Sequence, residues 1–194
     1  MNVAIENNYT RRNKIHPKLF ALGAACVSIT MMFGAFTSAY IVRQAAGNWL
    51  EFALPTMFTY STIAIILSSI ALQSSYFSFK RNNEFLYKSL LVVSLAFGLA
   101  FIVFQYQGWQ EMAQVLGISM GRNPSGDFIY VISGVHAGHV LGGIAVLLVA
   151  IIQAFALKYK VTEKRELRFK MTLTYWHFIG AIWLYLVLFF TFQR

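Results

Sequence analysis

The 194-residue chain is 58% hydrophobic and 16% aromatic, and only 12% of its residues are charged. Soluble domains carry about 25% charged residues, so this composition excludes an ordinary water-soluble globule. The formal net charge of +9 does not indicate a nucleic-acid partner, because the basic residues form short clusters between long apolar blocks instead of one basic face. The composition therefore predicts an integral membrane protein.

Five apolar segments are each long enough for the roughly 20 residues that cross a bilayer. They cover about residues 19–42, 52–79, 86–112, 128–157 and 171–192. The sequence thus predicts an all-α bundle of five transmembrane helices over residues 19–194, after a basic segment at 1–18. Residues 121–127, rich in glycine, proline and asparagine, are predicted to form an outer loop. No internal repeat is evident, so an inverted-repeat transporter is not favoured.

The basic residues predict the orientation of the chain. Of the 16 lysines and arginines, 13 precede the first span or lie in the second and fourth connections, and only Arg43, Arg122 and Arg194 lie on the other side. The positive-inside rule then places the N-terminus in the cytoplasm and the C-terminus outside. The chain begins with a polar segment and no evident organelle-targeting peptide, which favours a bacterial plasma membrane. The apolar run continues well past Cys26, so the first span is predicted to be uncleaved.

Histidine is the main ionisable residue within the predicted spans, whose central parts contain no acidic or basic side chain. This argues against an ion pump or a proton-coupled transporter. His136 and His139 share one face of the fourth helix, and His177 lies near the cytoplasmic start of the fifth. They could bind a metal or haem, or bond between helices as neutral side chains. No carboxylate or thiolate lies near them in sequence, which favours interhelical bonding.

Small residues mark one face of the fourth helix. Gly134, Gly138 and Gly142 recur every four residues, a pattern that allows another backbone to approach closely. The pattern predicts a tightly packed face, either within this chain or against a partner. Trp109 and Trp183 are predicted to lie near the outer interface, where amphipathic rings are common.

Two motifs on consecutive spans resemble subunit III of cytochrome c oxidase. Residues 134–143, with the sequence GVHAGHVLGG, are similar to that family's Gly-Phe-His-Gly-Leu-His-Val-x-x-Gly segment. Tyr175, Trp176, His177 and Phe178, followed by Trp183, are similar to its Tyr-Trp-His-Phe-x-x-x-x-Trp-Leu segment. Gln105 matches a recurrent glutamine. The resemblance covers nearly the whole chain and corresponds to the five-helix bacterial form.

Two positions depart from the family pattern. Many members carry a glutamate in a Ser-Glu-x-Met-x-Phe context, whereas residues 28–33 here read SITMMF. A proton-collecting role assigned to that glutamate is therefore not expected in this chain. Many members also have aspartate where this chain has Gly180, so His177 must find another partner.

The resemblance implies an accessory role in an oxygen-reducing, proton-pumping oxidase. In that family the haems and copper belong to subunits I and II, and subunit III has neither a catalytic nor a redox centre. It packs against subunit I, holds structural phospholipids and helps to sustain proton uptake and turnover. The expected partners are therefore subunit I, subunit II, further respiratory subunits and membrane lipids, with no metal or cofactor bound by this chain.

Three alternatives remain open. The chain could serve a quinol oxidase, since the electron donor is determined by subunit II, or it could be the related subunit of a nitric oxide reductase. It could also be a free-standing haem b membrane protein that uses His136 or His139 with His177. A small transporter or channel would need a polar path through the spans, which the few polar residues disfavour.

Overall fold

The computed structural model describes residues 16–193 and contains five helices. They are α1 (Pro17–Ala45), α2 (Thr56–Lys80), α3 (Glu84–Gln114), α4 (Pro124–Ala156) and α5 (Glu163–Phe192). All five are long and apolar enough to cross a membrane, which confirms the predicted all-α fold of five membrane-spanning-type helices. The basic residues before Lys18, and Arg194, lie outside the described residues.

Local capping residues set where the helices begin. The side chains of Asn83, Asn123 and Thr162 accept hydrogen bonds from the first turns of α3, α4 and α5, as N-cap residues typically do. Proline occupies the first position of α1 and of α4, where its missing N–H costs nothing.

Three predicted boundaries differ from the helix ends of the structure. The outer loop at 121–127 is shorter than expected, because Asn123 and Pro124 start α4 at residue 124. At the second span, residues 52–54 are not helical, since the chain becomes helical only after Pro55. Helix α5 begins eight residues before the predicted span and carries Glu163 and Glu166 in its first turn, where carboxylates are favourable.

Helices α2 to α5 form a closed ring in which each packs on two others of the ring, and α1 packs against α4 and α5. The longest interface joins α2 to α3, because only the turn at residues 81–83 separates them. Asn82 in this turn has a φ of 57°, a left-handed conformation that asparagine tolerates.

Helix α1 packs mainly through its C-terminal half. Its buried residues are Phe33, Thr37 and Tyr40, and Ile29 and Met32 are partly buried against the core, whereas the turns before them are largely exposed. Large apolar side chains elsewhere, such as those of Ile152 and Leu188, also face outward. These surfaces suit lipid tails or partner helices, and not water.

Candidate functional site

Trp176 of α5 fixes the centre of the ring. Its indole Nε1 donates to Ser68 Oγ on α2 at 3.1 Å, and its ring lies directly against Gly98 of α3 and Gly143 of α4. A Cβ at either glycine would lie 2.9 Å from a ring carbon. One side chain thereby sets the spacing of four helices, and the two glycines are required by its bulk.

Ser68 extends this contact to the α2–α3 interface. Its hydroxyl lies 2.7 Å from the carbonyl oxygen of Ser94 on α3, and the hydroxyl of Ser94 donates to the carbonyl of Ser68 at 3.0 Å. Both serines are fully buried. Small hydroxyl side chains therefore let α2 and α3 approach closely while satisfying their own polar groups.

Trp183 occupies the next layer toward the outer end of α5. It is fully buried and donates to Thr62 Oγ1 at 3.0 Å, while its ring packs on His136 at a centroid distance of 5.0 Å. Its polar N–H is therefore satisfied inside the bundle, and the position of Trp183 near the outer interface stays a prediction. Trp109 is half-buried and donates to Ser133 Oγ at 2.9 Å.

His136 is fully buried and bonds between helices. Its Nε2 lies 3.1 Å from the carbonyl oxygen of Ile179 on α5. A carbonyl oxygen can only accept, so Nε2 carries the proton. In contrast, His139 Nδ1 bonds within its own helix, to the Val135 carbonyl at 2.8 Å. The side chains of His136 and His139 both pack on Phe33 of α1.

His177 finds its partner on α2. Its Nε2 lies 3.0 Å from Gln73 Oε1, so glutamine takes the place of the aspartate that the family often supplies. Gly180 is buried beside Ser69. His177 of α5 is thus paired with α2, whereas His136 of α4 is paired with α5. Between residues 16 and 193, no three His, Cys, Asp or Glu side chains lie together as a metal site would need.

Gln105 is almost completely buried on α3. Its Nε2 donates to Ser61 Oγ on α2 at 3.0 Å, and Ser61 in turn donates to the carbonyl of Phe58 at 2.9 Å. Together with the bonds of His136 and Trp183, this forms a layer of polar side chains that join neighbouring helices of the ring.

The glycine stripe of α4 faces outward. A Cβ at Gly134 or Gly138 would meet no atom of the described protein within 4 Å, and one at Gly142 would lie 3.8 Å from Tyr175 Oη. Tyr175 Oη donates to the carbonyl of His139 at 3.2 Å. Close packing inside the chain therefore occurs at Gly98 and Gly143 instead, and the stripe itself is open to a partner or to lipid.

A groove of about 440 Å³ opens between the N-terminal half of α1 and the ends of α3, α4 and α5 that lie next to the α2–α3 and α4–α5 connections. Its apolar wall includes Leu22, Val146 and Val149, and its rim includes Arg165 and Arg168. Such a groove can hold an acyl chain along its wall and an anionic group at its rim.

The basic end of the bundle also contains an ion-pair cluster. Glu166 lies 2.9 Å from Lys170 Nζ and 3.5 Å from Lys80 Nζ, and it accepts a hydrogen bond from Tyr76. The hydrogen bond from Lys170, followed by that from Tyr76, lowers the pKa of the Glu166 carboxyl below its ordinary value. The cluster joins the end of α2 to the start of α5.

Several packing residues were missed at the sequence level. Ser94 and Gly98 were not singled out, and Gly143, although it lies in the 134–143 motif, was not assigned a contact with Trp176. Their only signal is that small residues face a bulky one from another helix, and the sequence does not show which helices pack together.

Comparison with known proteins agrees with the motifs. The family model for cytochrome c oxidase subunit III matches residues 19–193. A probable cytochrome c oxidase subunit 3 of Nocardia farcinica is 25% identical over 87% of this chain and 85% of its own length. That of Mycobacterium leprae is 27% identical over the same shares. The cytochrome c oxidase subunit 3 of Pyricularia grisea is 34% identical over 87% of this chain and 62% of its own length.

These matches confirm the resemblance seen in the two motifs. The family includes no redox cofactor in this subunit, and its members work in a complex with other oxidase subunits. The five helices make the chain a multi-pass membrane protein. The chain belongs to the cytochrome c oxidase subunit III family and is an accessory subunit of a haem–copper oxidase.

Proposed function

We propose that this chain has no catalytic centre of its own and that it packs directly on subunit I, supporting assembly, lipid binding and sustained proton uptake. The observation that carries the proposal is the chemistry of the bundle interior. Its buried polar side chains, such as His136, Gln105 and Trp183, are neutral and bond to neighbouring helices. They hold the bundle together and leave no paired acid and base for a reaction.

The first test is purification of the chain with a C-terminal tag in mild detergent. We expect a haem-containing oxidase to co-purify, and a colourless subunit to separate from it in harsher detergent. A chain that keeps its own Soret absorption after separation would contradict the proposal and support the haem b alternative. A colourless chain that purifies alone would contradict direct packing on subunit I.

The open glycine stripe of α4 is our proposed contact with subunit I. Gly134 and Gly138 have no neighbour among the described residues within 4 Å of a Cβ position, so this part of the stripe allows the close approach of another helix. The change Gly138→Leu should reduce the yield of assembled oxidase while the haem spectra of the remaining complex stay unchanged.

The matched control is Gly34→Leu, because Gly34 of α1 is equally open but lies on another helix. Equal yields from wild type and Gly138→Leu would contradict the proposed contact. Equal losses from both variants would show that any added bulk interferes, and would contradict it as well.

We also propose that the groove beside α1 holds an anionic phospholipid. Its acyl chain would lie along Leu22 and Val146, and its phosphate would lie at Arg168, whose Nη1 makes only a 3.5 Å contact with Gln153. Arginine suits phosphate because its planar donors match the phosphate oxygens.

Native mass spectrometry of the purified complex tests this lipid. Arg168→Gln should lower the retained anionic phospholipid, and Lys164→Gln, an exposed change outside the groove, should not. Equal retention in the two variants would contradict the proposed position of the phosphate.

Topology supports a bacterial plasma membrane with the N-terminus inside. Ten basic residues between Lys18 and Lys170 lie at the end of the bundle that holds the α2–α3 and α4–α5 connections, and Arg43 and Arg122 lie at the other. Cys26 is the single cysteine, so cysteines introduced in a Cys26→Ser background report accessibility site by site. Labelling from outside at residue 82 and not at residue 48 would reverse the proposed orientation.

The role in turnover has its own test. Oxidase stripped of this chain should begin turnover at the normal rate and then lose activity progressively, because the proposed role of the chain is to support sustained proton uptake. Adding the purified chain back should restore the time course. An unchanged time course in the stripped enzyme would contradict this role.

A further inference from the structure

Two buried side-chain atoms of the ring, one on α3 and one on α4, lack a hydrogen-bond partner among the described residues. His136 Nδ1 and Gln105 Oε1 have no hydrogen-bond partner among residues 16–193. His136 is 0% and Gln105 is 1% exposed. A buried polar atom without a partner is costly, and native proteins seldom leave one unsatisfied.

The roles of the two atoms follow from the bonds that their side chains already make. His136 donates through Nε2 to the Ile179 carbonyl, so the neutral ring presents Nδ1 as an acceptor. Gln105 donates through Nε2 to Ser61, whose own proton goes to the Phe58 carbonyl. Its Oε1 is therefore an acceptor too. Two acceptors cannot satisfy each other.

The register of α3 and α4 indicates that Gln105 and His136 lie at about the same level of the ring. Trp109 of α3 bonds to Ser133 of α4, and the helices are antiparallel. One turn inward along each helix leads from Trp109 to Gln105 and from Ser133 to His136. The ring of Phe101, one turn beyond Gln105, packs on His136 at 5.7 Å between centroids.

We propose that one ordered water molecule lies between α3 and α4 and donates its two hydrogens to Gln105 Oε1 and His136 Nδ1. Water is the smallest molecule with two donors, and buried waters commonly bridge polar groups that would otherwise be unsatisfied. The rings of Phe101 and Trp183 beside His136 separate this site from the lipid.

This water would complete a hydrogen-bonded connection across the ring. It would run from the Phe58 carbonyl through Ser61 and Gln105 to the water, and then through His136 to the Ile179 carbonyl. All four helices of the ring, α2 to α5, would be joined by neutral groups at one level. The inference concerns this chain's own interior and does not depend on the proposed contact with subunit I.

The direct test is electron cryomicroscopy of the tagged chain with its co-purifying subunits, at a resolution that shows ordered waters. We expect a separate density about 2.7–3.2 Å from both Gln105 Oε1 and His136 Nδ1. No density at this position would overturn the proposal. So would a direct bond between the two side chains, with the Gln105 amide reversed and the Ser61 hydroxyl turned toward it.

A mutant cycle gives a second measurement. Gln105→Leu and His136→Leu each remove one partner of the water, so each should lower the melting temperature of the purified complex. The melting temperature of the double variant should fall by less than the two single decreases combined. The first change already releases the water, so the second change removes a group that no longer binds it. Additive losses would overturn the bridge. Val103→Leu, an exposed change on α3, serves as the control.

Discussion

The substitution Gly143→Ala is expected to destabilise the bundle, although alanine is the better helix former. The new methyl carbon would lie 2.9 Å from Cε3 and Cζ3 of Trp176 and 3.4 Å from Tyr175 Cε1. Carbon atoms pack at about 3.5–4.0 Å, so the indole would have to move by roughly 0.6–1 Å. It cannot move freely, because Gly98 lies against its other edge and Ser68 holds its N–H.

The magnitude follows from two opposing effects. Overpacking a filled core costs about 1–3 kcal/mol, and replacing glycine by alanine within a helix contributes about 1 kcal/mol in the opposite direction. The net loss at Gly143 should therefore be about 0–2 kcal/mol. At Gly138 the same change meets no atom within 4 Å, so it should gain up to about 1 kcal/mol.

The assay is reversible denaturation of the purified chain in bicelles by sodium dodecyl sulfate, followed by tryptophan fluorescence. Gly143→Ala should unfold at a lower detergent fraction than wild type, and Gly138→Ala at an equal or higher one. The order of the two variants is the decisive result. If Gly143→Ala were as stable as Gly138→Ala, the indole would not be confined between the two glycines as described.

Three further expectations follow from single contacts. Trp183→Phe should lower the free energy of unfolding by about 0.5–1.5 kcal/mol, because it removes the hydrogen bond to Thr62. The double variant with Thr62→Val should lose less than the two single losses combined. Additive losses in the same assay would contradict the hydrogen bond. Glu166 has a lowered pKa, so its contribution is complete above the ordinary carboxyl pKa and is lost as pH falls through the lowered one. The difference in free energy of unfolding between wild type and Glu166→Gln should therefore become smaller as the pH falls. A difference that does not change with pH would refute this. Asn123→Ala should cost about 0.5–2 kcal/mol by removing the cap of α4, measured against Glu51→Ala, an exposed change in a connection.

The sequence predicted the number and position of the helices because the bilayer imposes a simple requirement. About 20 apolar residues must occur together, and this can be seen along the chain without knowledge of any contact. Helix ends were predicted less well. Helix α5 begins at Glu163, outside the apolar run, where capping by Thr162 determines the start instead of hydrophobicity.

The histidines were predicted in part, for a similar reason. A polar side chain among apolar residues needs a partner, so bonding was expected, but the partner depends on the packing of distant segments. Gln73 is 104 residues from His177, and no periodicity links the two. Trp183 was placed at the interface because tryptophan is common there, and the sequence did not indicate that Thr62 satisfies its N–H inside the bundle.

The glycines show why the remaining features need the fold. Gly98, Gly138 and Gly143 look equivalent in sequence, since each is a small residue in an apolar helix. Trp176 distinguishes them, because it occupies the space beside Gly98 and Gly143 and leaves Gly138 open. Bulk added at the first two should therefore destabilise the isolated chain, whereas bulk added at the third should not, and should instead affect what binds to its surface. A loss of assembly without a loss of stability at Gly138, and the reverse at Gly143, would separate internal packing from subunit contact within one helix.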